Sequence, residues 1–285
     1  DAGLDEILSA LETMKSLALN ATSSLTSDAD RITANSEASQ LSLEIARIAT
    51  STLYNGYDLL DGTFSSKALQ IGPTSTESMS ITIASADTSA LGSYVLSGTT
   101  RDAVAAATTA TANDTSANED ITITVNSVGT AIAATANESA KDTAVKINAV
   151  TATTGVAAKA RSYALLASSS ESSADYSVKI NDTATSTFAI SSISVSAAVT
   201  AINAVTATTG VVASATADFK VLLSDETGAD ITIENESSGA NLTVQAVKYD
   251  ATTTQGSAVS LQANDSNDAS RVIGTLRLIS DSAFS

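Results

Sequence analysis

The sequence predicts an α+β fold, in which a hairpin of two heptad helices is followed by a mainly β region with short helices in two repeated modules. Three observations lead to this prediction. Apolar residues recur at alternating spacings of four and three before residue 53, and polar and apolar residues alternate after residue 72. A ten-residue phrase then recurs without change in the second half of the chain.

Two amphipathic helices are predicted in the first 52 residues. Their apolar side chains are Leu4, Ile7, Leu11, Met14 and Ala18 in the first helix and Ala34, Ala38, Leu41, Ile45, Ile48 and Thr52 in the second. A heptad seam needs a partner helix to cover it. The connection, residues 20–30, is rich in Ser, Thr and Asp, which cap helices and form turns. We expect Leu11, Met14, Leu41, Ile45 and Ile48 to lie on packed seams.

A turn-rich phrase follows the second helix and reads Leu53-Tyr-Asn-Gly-Tyr-Asp-Leu-Leu-Asp-Gly62, continued by Phe64-Ser-Ser-Lys-Ala-Leu-Gln-Ile-Gly72. With the two helices before it, this phrase resembles the N-terminal half of the inner domain of bacterial flagellin. Flagellins carry a sequence pattern of the form FNGxxLLDGxFxxxxxQIG there. Tyr54 stands where that sequence pattern more often has Phe. The resemblance covers about the first quarter of the chain, and Asn55, Gly56 and Gly62 are its turn positions.

The ten-residue phrase runs from Ile147 to Val156 and recurs letter for letter from Ile202 to Val211, an offset of 202 − 147 = 55 residues. Alternating segments precede and follow each copy, as in a strand–helix–strand module. Gly155 and Gly210 stand where each short helix would stop. We interpret Asn148 and Asn203 as helix-end residues whose side chains bond nearby backbone. The unit resembles an insertion motif of flagellin variable regions and of the flagellar filament-cap protein.

The predicted organisation has three parts. Residues 1–72 form the N-terminal part of a helical inner domain, and residues 73–120 form a linker with the first strands. Residues 121–285 form an outer variable β-rich region, with repeats at about 121–170 and 176–234. Flagellins return from this region into a long C-terminal helix, which this sequence does not include. The resemblance therefore implies an internal fragment of a longer chain.

Composition argues against an enzyme. The chain contains neither His nor Cys, which excludes the common nucleophile–base pairs, zinc sites and disulfides, so no catalytic residue, cofactor or metal is predicted. Asn264-Asp-Ser-Asn-Asp268 and Asp225-Glu226 offer oxygen ligands, but neither fits a twelve-residue calcium loop, and we interpret both as solvated loops.

Charge and hydropathy exclude two classes of partner. The net charge is −17, and the 14 Lys and Arg residues form no cluster along the sequence. We therefore expect neither nucleic acid nor an anionic membrane as a partner. No apolar run approaches the length of a membrane span, and no signal peptide opens the chain.

The resemblance implies a structural subunit of the flagellar filament, extracellular and contributing to motility. Its partners would be other copies of itself and the flagellar export and chaperone machinery. The vertebrate innate receptor for flagellin reads a phrase of the form LQRVRELAVQ, but Thr13 and Lys15 stand at its two Arg positions, which implies weak or no recognition. The alternatives are a filament-cap or hook-associated protein, which shares the insertion motif, and a Ser/Thr-rich adhesin or surface-layer protein, which fits the composition.

Overall fold

The computed structural model describes residues 2–23, 26–74, 77–105, 107–169, 174–263 and 267–285. The chain divides into two compact units, Asp1–Gly92 and Ser93–Ser285. This division falls inside the segment that the sequence predicts to be a linker. Each unit is described separately below.

The first unit contains the two long helices and two small strand pairs. Its elements are α1 (Ala2–Ala21), α2 (Asp28–Ser51), β1 (Leu53–Tyr54), β2 (Tyr57–Asp58), β3 (Lys67–Gln70) and β4 (Ser78–Ile81). Strand β1 pairs with β2 and β3 pairs with β4, both antiparallel. The core of the unit consists of Ile7, Ala10, Ile45, Ile48, Ala49, Leu60 and Ala86. It therefore joins the helix pair to the turn-rich segment that follows it.

A capping box starts α2. The Asp30 amide donates to the Ser27 hydroxyl oxygen at 3.2 Å, and the Ser27 amide donates to the Asp30 carboxylate at 3.3 Å. The Arg31 guanidinium also donates to the Ser23 carbonyl oxygen at 3.2 Å. The first two contacts satisfy backbone amides at the start of α2, and the third satisfies a carbonyl just after α1. The Ser/Thr/Asp-rich connection thus ends one helix and begins the next.

The second unit is mainly β. Its elements are β5 (Tyr94–Ser97), β6 (Ile121–Val125), β7 (Val128–Ile132), α3 (Ala140–Ala149), α4 (Thr151–Thr154), β8 (Val156–Ser168), β9 (Ala174–Tyr176), β10 (Val178–Ile180), β11 (Thr183–Ala184), β12 (Phe188–Ile190), α5 (Ser196–Asn203), α6 (Thr206–Thr209), β13 (Val212–Ala215), β14 (Val221–Asp225), β15 (Ile231–Asn235), β16 (Leu242–Val247), β17 (Thr254–Leu261), β18 (Ala269–Val272) and β19 (Thr275–Ser280).

Strand β8, with 13 residues, lies at the centre of the largest sheet of the described residues. The order of this sheet is β13-β14-β8-β16-β17, and β19 pairs with both β8 and β5. A second sheet has the order β11-β10-β15-β18. Inward positions of both sheets, such as Leu166, Val244 and Ile233, are fully buried and form one apolar core. The helical hairpin and this β-rich unit confirm the predicted α+β fold class.

Within the described ranges, no helix has an apolar stretch sufficient to cross a lipid bilayer.

Candidate functional site

The helix pair packs along one seam. In α2, Ile45 and Ile48 are 1% and 3% exposed, and Leu41 is half-buried. Each of the other three predicted seam positions of α2 is half-buried as well. The seam that the sequence pattern marks in α2 therefore coincides with its least exposed face.

In α1 the seam lies one residue away from several predicted positions. Its buried residues are Ile7 and Ala10, and Met14 is half-buried. Leu11, by contrast, is 39% exposed. A Cβ on Gly3 would lie 2.9 Å from the Thr52 hydroxyl oxygen, so the start of α1 lies close to the end of α2. Gly3, Ile7, Ala10 and Met14 form the less exposed face of α1, and Leu4 and Leu11 lie beside it.

We define the outer apolar stripe as the large apolar side chains that the helix pair leaves exposed: Leu4 (48%), Leu8 (56%), Leu11 (39%), Leu19 (62%), Ile32 (72%) and Leu43 (73%). On α1 the first three follow spacings of four and three, so they share one face of the helix. A contiguous apolar face on a surface marks an interaction site more often than single exposed residues do. Thr13 and Lys15, which stand where the phrase LQRVRELAVQ has Arg, are also exposed on α1.

The turn phrase forms a tight hairpin. Asn55 and Gly56 have φ values of 49° and 81°, and Tyr54 pairs with Tyr57 across them. Two successive positive φ values define the type I′ turn that matches the twist of the flanking strands, for which Asn-Gly is the preferred pair. The hairpin leads into Leu60, whose side chain is 4% exposed in the core of the first unit.

Gly62 closes the turn phrase with a φ of 91°. Here a Cβ would lie 3.0 Å from the Cβ of Ser85, so the position is constrained by space as well as by backbone conformation. The adjacent Ala86 amide donates to the Leu60 carbonyl oxygen at 2.8 Å. The turn phrase therefore fixes how the chain returns to the end of the helix pair.

In the first copy of the repeated motif, the side chain of Asn148 forms a two-way bond with the following strand. Its amide nitrogen donates to the Ala158 carbonyl oxygen at 2.9 Å, and its carbonyl oxygen accepts from the Ala158 amide at 2.8 Å. Gly155 ends the helical segment with a φ of 67°, and Ile147 is fully buried. The Asn side chain thus completes a strand hydrogen-bond pattern from the end of a helix.

The second copy has the same hydrogen bonds at the corresponding positions. Asn203 bonds Ala213 in both directions, at 2.9 and 2.7 Å. Gly210 has a φ of 75°, and Ile202 is fully buried. The amide nitrogen and the carbonyl oxygen of both Asn side chains are therefore each bonded to the protein's own backbone.

The carboxylates of Asp225 and Glu226 have partners within the chain. Asp225 accepts from the Thr227 amide and hydroxyl at 2.7 and 2.6 Å, and Glu226 pairs with Arg161 at 2.8 Å. Residues 264–266 of the second oxygen-rich segment lie outside the described residues. Within the described part of the chain, no group of three or more Asp and Glu side chains is arranged to hold a metal ion.

The structure corrects the sequence-based conclusion that the basic residues form no cluster. Arg161, Lys248 and Arg277 line one cleft of the second unit, around the ring of Tyr249. The three cations are far apart in sequence: Arg161 lies in β8, Lys248 directly follows β16, and Arg277 lies in β19. Only the register of these strands could have revealed the cluster.

Comparison with known proteins gives matches in the N-terminal part of the chain. The bacterial flagellin N-terminal helical region matches residues 1–65. B-type flagellin of Pseudomonas aeruginosa is 32% identical over 93 residues, which are 33% of this chain and 19% of that relative. Flagellin B of Vibrio cholerae is 35% identical over 94 residues, 32% of this chain and 25% of the relative. The chain therefore spans about a fifth to a quarter of the length of these curated relatives.

A solved structure of FliC from Burkholderia pseudomallei also matches, with 24% identity and a TM-score of 0.31 over 46% of this chain and 49% of that one. Over its N-terminal third, this chain is thus similar to bacterial flagellins, and residues 1–65 match their N-terminal helical region.

Proposed function

We propose that this chain is a structural subunit of the bacterial flagellar filament, located outside the cell, and that it associates with further copies through the outer apolar stripe. The β-rich second unit would face outward in the filament and determine its surface properties. The observation that carries this proposal is the exposure of six large apolar side chains on the helix pair. Motility would follow from the assembled filament, and export machinery would deliver the subunits.

Exposure of the outer apolar stripe to water lowers the stability of an isolated subunit. Burying a Leu or Ile side chain stabilises a protein by about 1.5–3 kcal/mol relative to leaving it in water. Ile32 and Leu43 are 72% and 73% exposed, so most of that stabilisation is unrealised in the single chain. A packed array of helices from neighbouring subunits would cover the stripe. The fold supports association because the exposed apolar side chains lie on helices. The backbone hydrogen bonds of a helix lie within the helix, so this surface can be buried without leaving backbone groups unpaired.

Electron microscopy of the full-length protein under polymerising conditions tests the proposal. We expect long uniform filaments from the natural protein. Leu8→Ser and Leu43→Ser should raise the concentration needed for polymerisation about tenfold or more, since each removes one apolar contact of the stripe. Ile193→Ser is the matched control, because Ile193 is 75% exposed in the second unit and lies outside the stripe.

The outcomes separate the alternatives. Small closed rings would favour a filament-cap protein, and persistent monomers that bind cells or glycans would favour an adhesin. Filaments that form equally well from the Leu8 and Leu43 variants would show that the stripe is not the assembly surface. Far-UV circular dichroism of each variant establishes that its helices are still folded.

A further inference from the structure

A basic cleft in the β-rich unit has no role in the proposed assembly. It is open to solvent and has a volume of about 690 Å³. Its lining includes Arg161, Lys248, Arg277 and Tyr249, together with the hydroxyl side chains of Ser97 and Thr99. Three cations in one cleft are unexpected in a chain whose net charge is −17. The concentration of positive charge at one place in an acidic protein needs a physical explanation.

Strand register places like charges side by side. Arg277 on β19 lies directly opposite Lys159 on β8, and Arg161 follows two residues later on the same face of β8. Like charges directly opposite each other in an antiparallel pair are destabilising. The arrangement is therefore unfavourable for the empty sheet, and an anion bound over this face would neutralise it.

Two carboxylates, Asp250 in the cleft lining and Glu226 beside Arg161, compensate only part of this charge. Glu226 pairs with Arg161 at 2.8 Å. Asp250 accepts from the Thr252 amide at 2.9 Å and from the Thr253 amide at 2.8 Å, so its oxygens are turned to its own loop. Among the described residues, neither Lys248 nor Arg277 forms an ion pair, and the buried Nε of Arg277 has no hydrogen-bond partner.

Tyr249 holds the two guanidinium groups in place. Its ring centre lies 5.5 Å from the central carbon of Arg161 and 5.6 Å from that of Arg277. Such contacts between a cation and an aromatic ring are worth about 0.5–1 kcal/mol at exposed sites. They orient both guanidinium groups before a ligand arrives. Planar guanidinium groups match oxyanions such as carboxylate and sulfate, to which they donate two parallel hydrogen bonds.

We propose that this cleft binds a small ligand through an oxyanion group, a carboxylate, sulfate or phosphate, held by Arg277, Lys248 and Arg161. The cleft is larger than a single ion needs and lies within the size range of small-molecule sites. Its hydroxyl side chains would contact the remainder of the ligand. This site is independent of filament formation, because none of its residues belongs to the outer apolar stripe.

Isothermal titration calorimetry of the whole chain at low salt tests the proposal with sodium phosphate, sodium sulfate, acetate and glucuronate, and with glucose as the neutral control. We expect saturable binding of the anions and none of glucose. Arg277→Gln and Lys248→Gln should each weaken binding about tenfold or more, since each removes a charge-assisted hydrogen bond. Lys220→Gln is the matched control, because Lys220 pairs with Asp218 at 2.7 Å on the surface, outside the cleft lining.

Two results would support the proposal in different forms. Tighter binding of glucuronate than of acetate would show that the ligand extends into the cleft, and equal binding would limit recognition to the oxyanion. Anion binding that is absent at low salt, or that is equal in the Lys220 and Arg277 variants, would overturn the proposal. Lys248 is exposed, so its variant keeps the test valid if the Arg277 variant fails to fold.

Discussion

The two copies of the ten-residue motif share their internal hydrogen bonds but are stabilised by different surroundings. In the first copy, α3 begins with a capping box between Ser139 and Asp142. Lys146, one turn further on, forms an ion pair with Glu138 and donates to the Thr135 hydroxyl oxygen at 2.7 Å. The side chain of Glu138 is only 2% exposed. Polar contacts therefore anchor this helix to the preceding loop.

The second copy replaces these polar groups by apolar ones. Fifty-five residues after Glu138, Asp142 and Lys146 stand Ile193, Ala197 and Ala201, of which only Ala201 is buried. The described part of the core around this copy contains 23 buried apolar residues, whereas the core around the first contains 8. The same local motif thus works in both settings, and its helix is held by ion pairing where the core is small and by apolar packing where it is large.

Removal of the polar anchor in the first copy should have the largest effect. Lys146→Ala leaves the buried carboxylate of Glu138 without its cation, which we expect to lower the free energy of unfolding by about 2–3 kcal/mol. Urea denaturation followed by circular dichroism measures this change. Lys220→Ala, which breaks an exposed ion pair, should cost less than about 1 kcal/mol. Equal costs for the two variants would show that the anchor is not needed.

The same anchor predicts a dependence on pH. Burial raises the pKa of Glu138, but hydrogen bonds from Lys146, Thr143 and the Thr135 amide outweigh it, and the pKa lies below its usual 4.5. Because the folded pKa is lower than the unfolded one, this stabilisation is fully present above pH 4.5 and is lost as the pH falls through the folded pKa. Glu138→Gln should therefore flatten the acid limb of the stability profile.

The Asn residues should have the next largest effect, and an equal one in both copies. Asn148→Ala and Asn203→Ala each remove both partners of a strand residue, Ala158 or Ala213. Unsatisfied backbone groups at partly buried positions cost about 1–3 kcal/mol. The corresponding Asp variants keep the acceptor but lose the donor, so they should also destabilise. Urea denaturation that gave costs differing by more than about 1 kcal/mol between the copies would contradict the equivalence of the two motifs.

The heptad pattern predicted the two helices, and the alternating pattern after residue 72 supplied the β part of the fold class. In the single chain, the packed face of α1 lies one residue from the predicted positions Leu4 and Leu11. Gly3 and Ala10 lie next to Leu4 and Leu11, and a pattern based on large apolar residues selects the leucines. In the structure Gly3 lies close to Thr52 and Ala10 is buried, so both small residues lie on the packed face beside Ile7. Whether the displaced Leu11 is buried by a neighbouring subunit stays a prediction of the filament proposal.

Long-range contacts were beyond sequence reasoning. The repeat predicts that both copies share one local structure, yet the Asn partners ten residues away depend on how each strand returns along its helix. The basic cleft depends even more on contacts between residues that are distant in the sequence. Arg161 and Arg277 are 116 residues apart (277 − 161), and they meet only because β19 pairs with β8. Pairing between distant strands is determined by the whole sheet and leaves no short-range pattern in the sequence.

The glycines that end the two motifs should give the smallest effect, but a difference between the copies. Both have positive φ, at 67° for Gly155 and 75° for Gly210, where an L-residue costs about 1–2 kcal/mol. A Cβ on Gly210 would also lie 3.2 Å from a carboxylate oxygen of Asp225, whereas on Gly155 the nearest contact is Ser280 at 3.9 Å. Asp225 is held by two hydrogen bonds from Thr227 and cannot move aside freely.

Gly210→Ala should therefore destabilise the protein more than Gly155→Ala in urea denaturation. Gly155→Asn provides the control, because Asn tolerates the left-handed conformation better than Ala and should cost less at that position. Equal costs for the two Ala variants would mean that backbone conformation alone limits these positions. A larger cost for Gly210→Ala would show that the surroundings of the second copy, and not its ten-residue sequence, determine how much change the motif accepts.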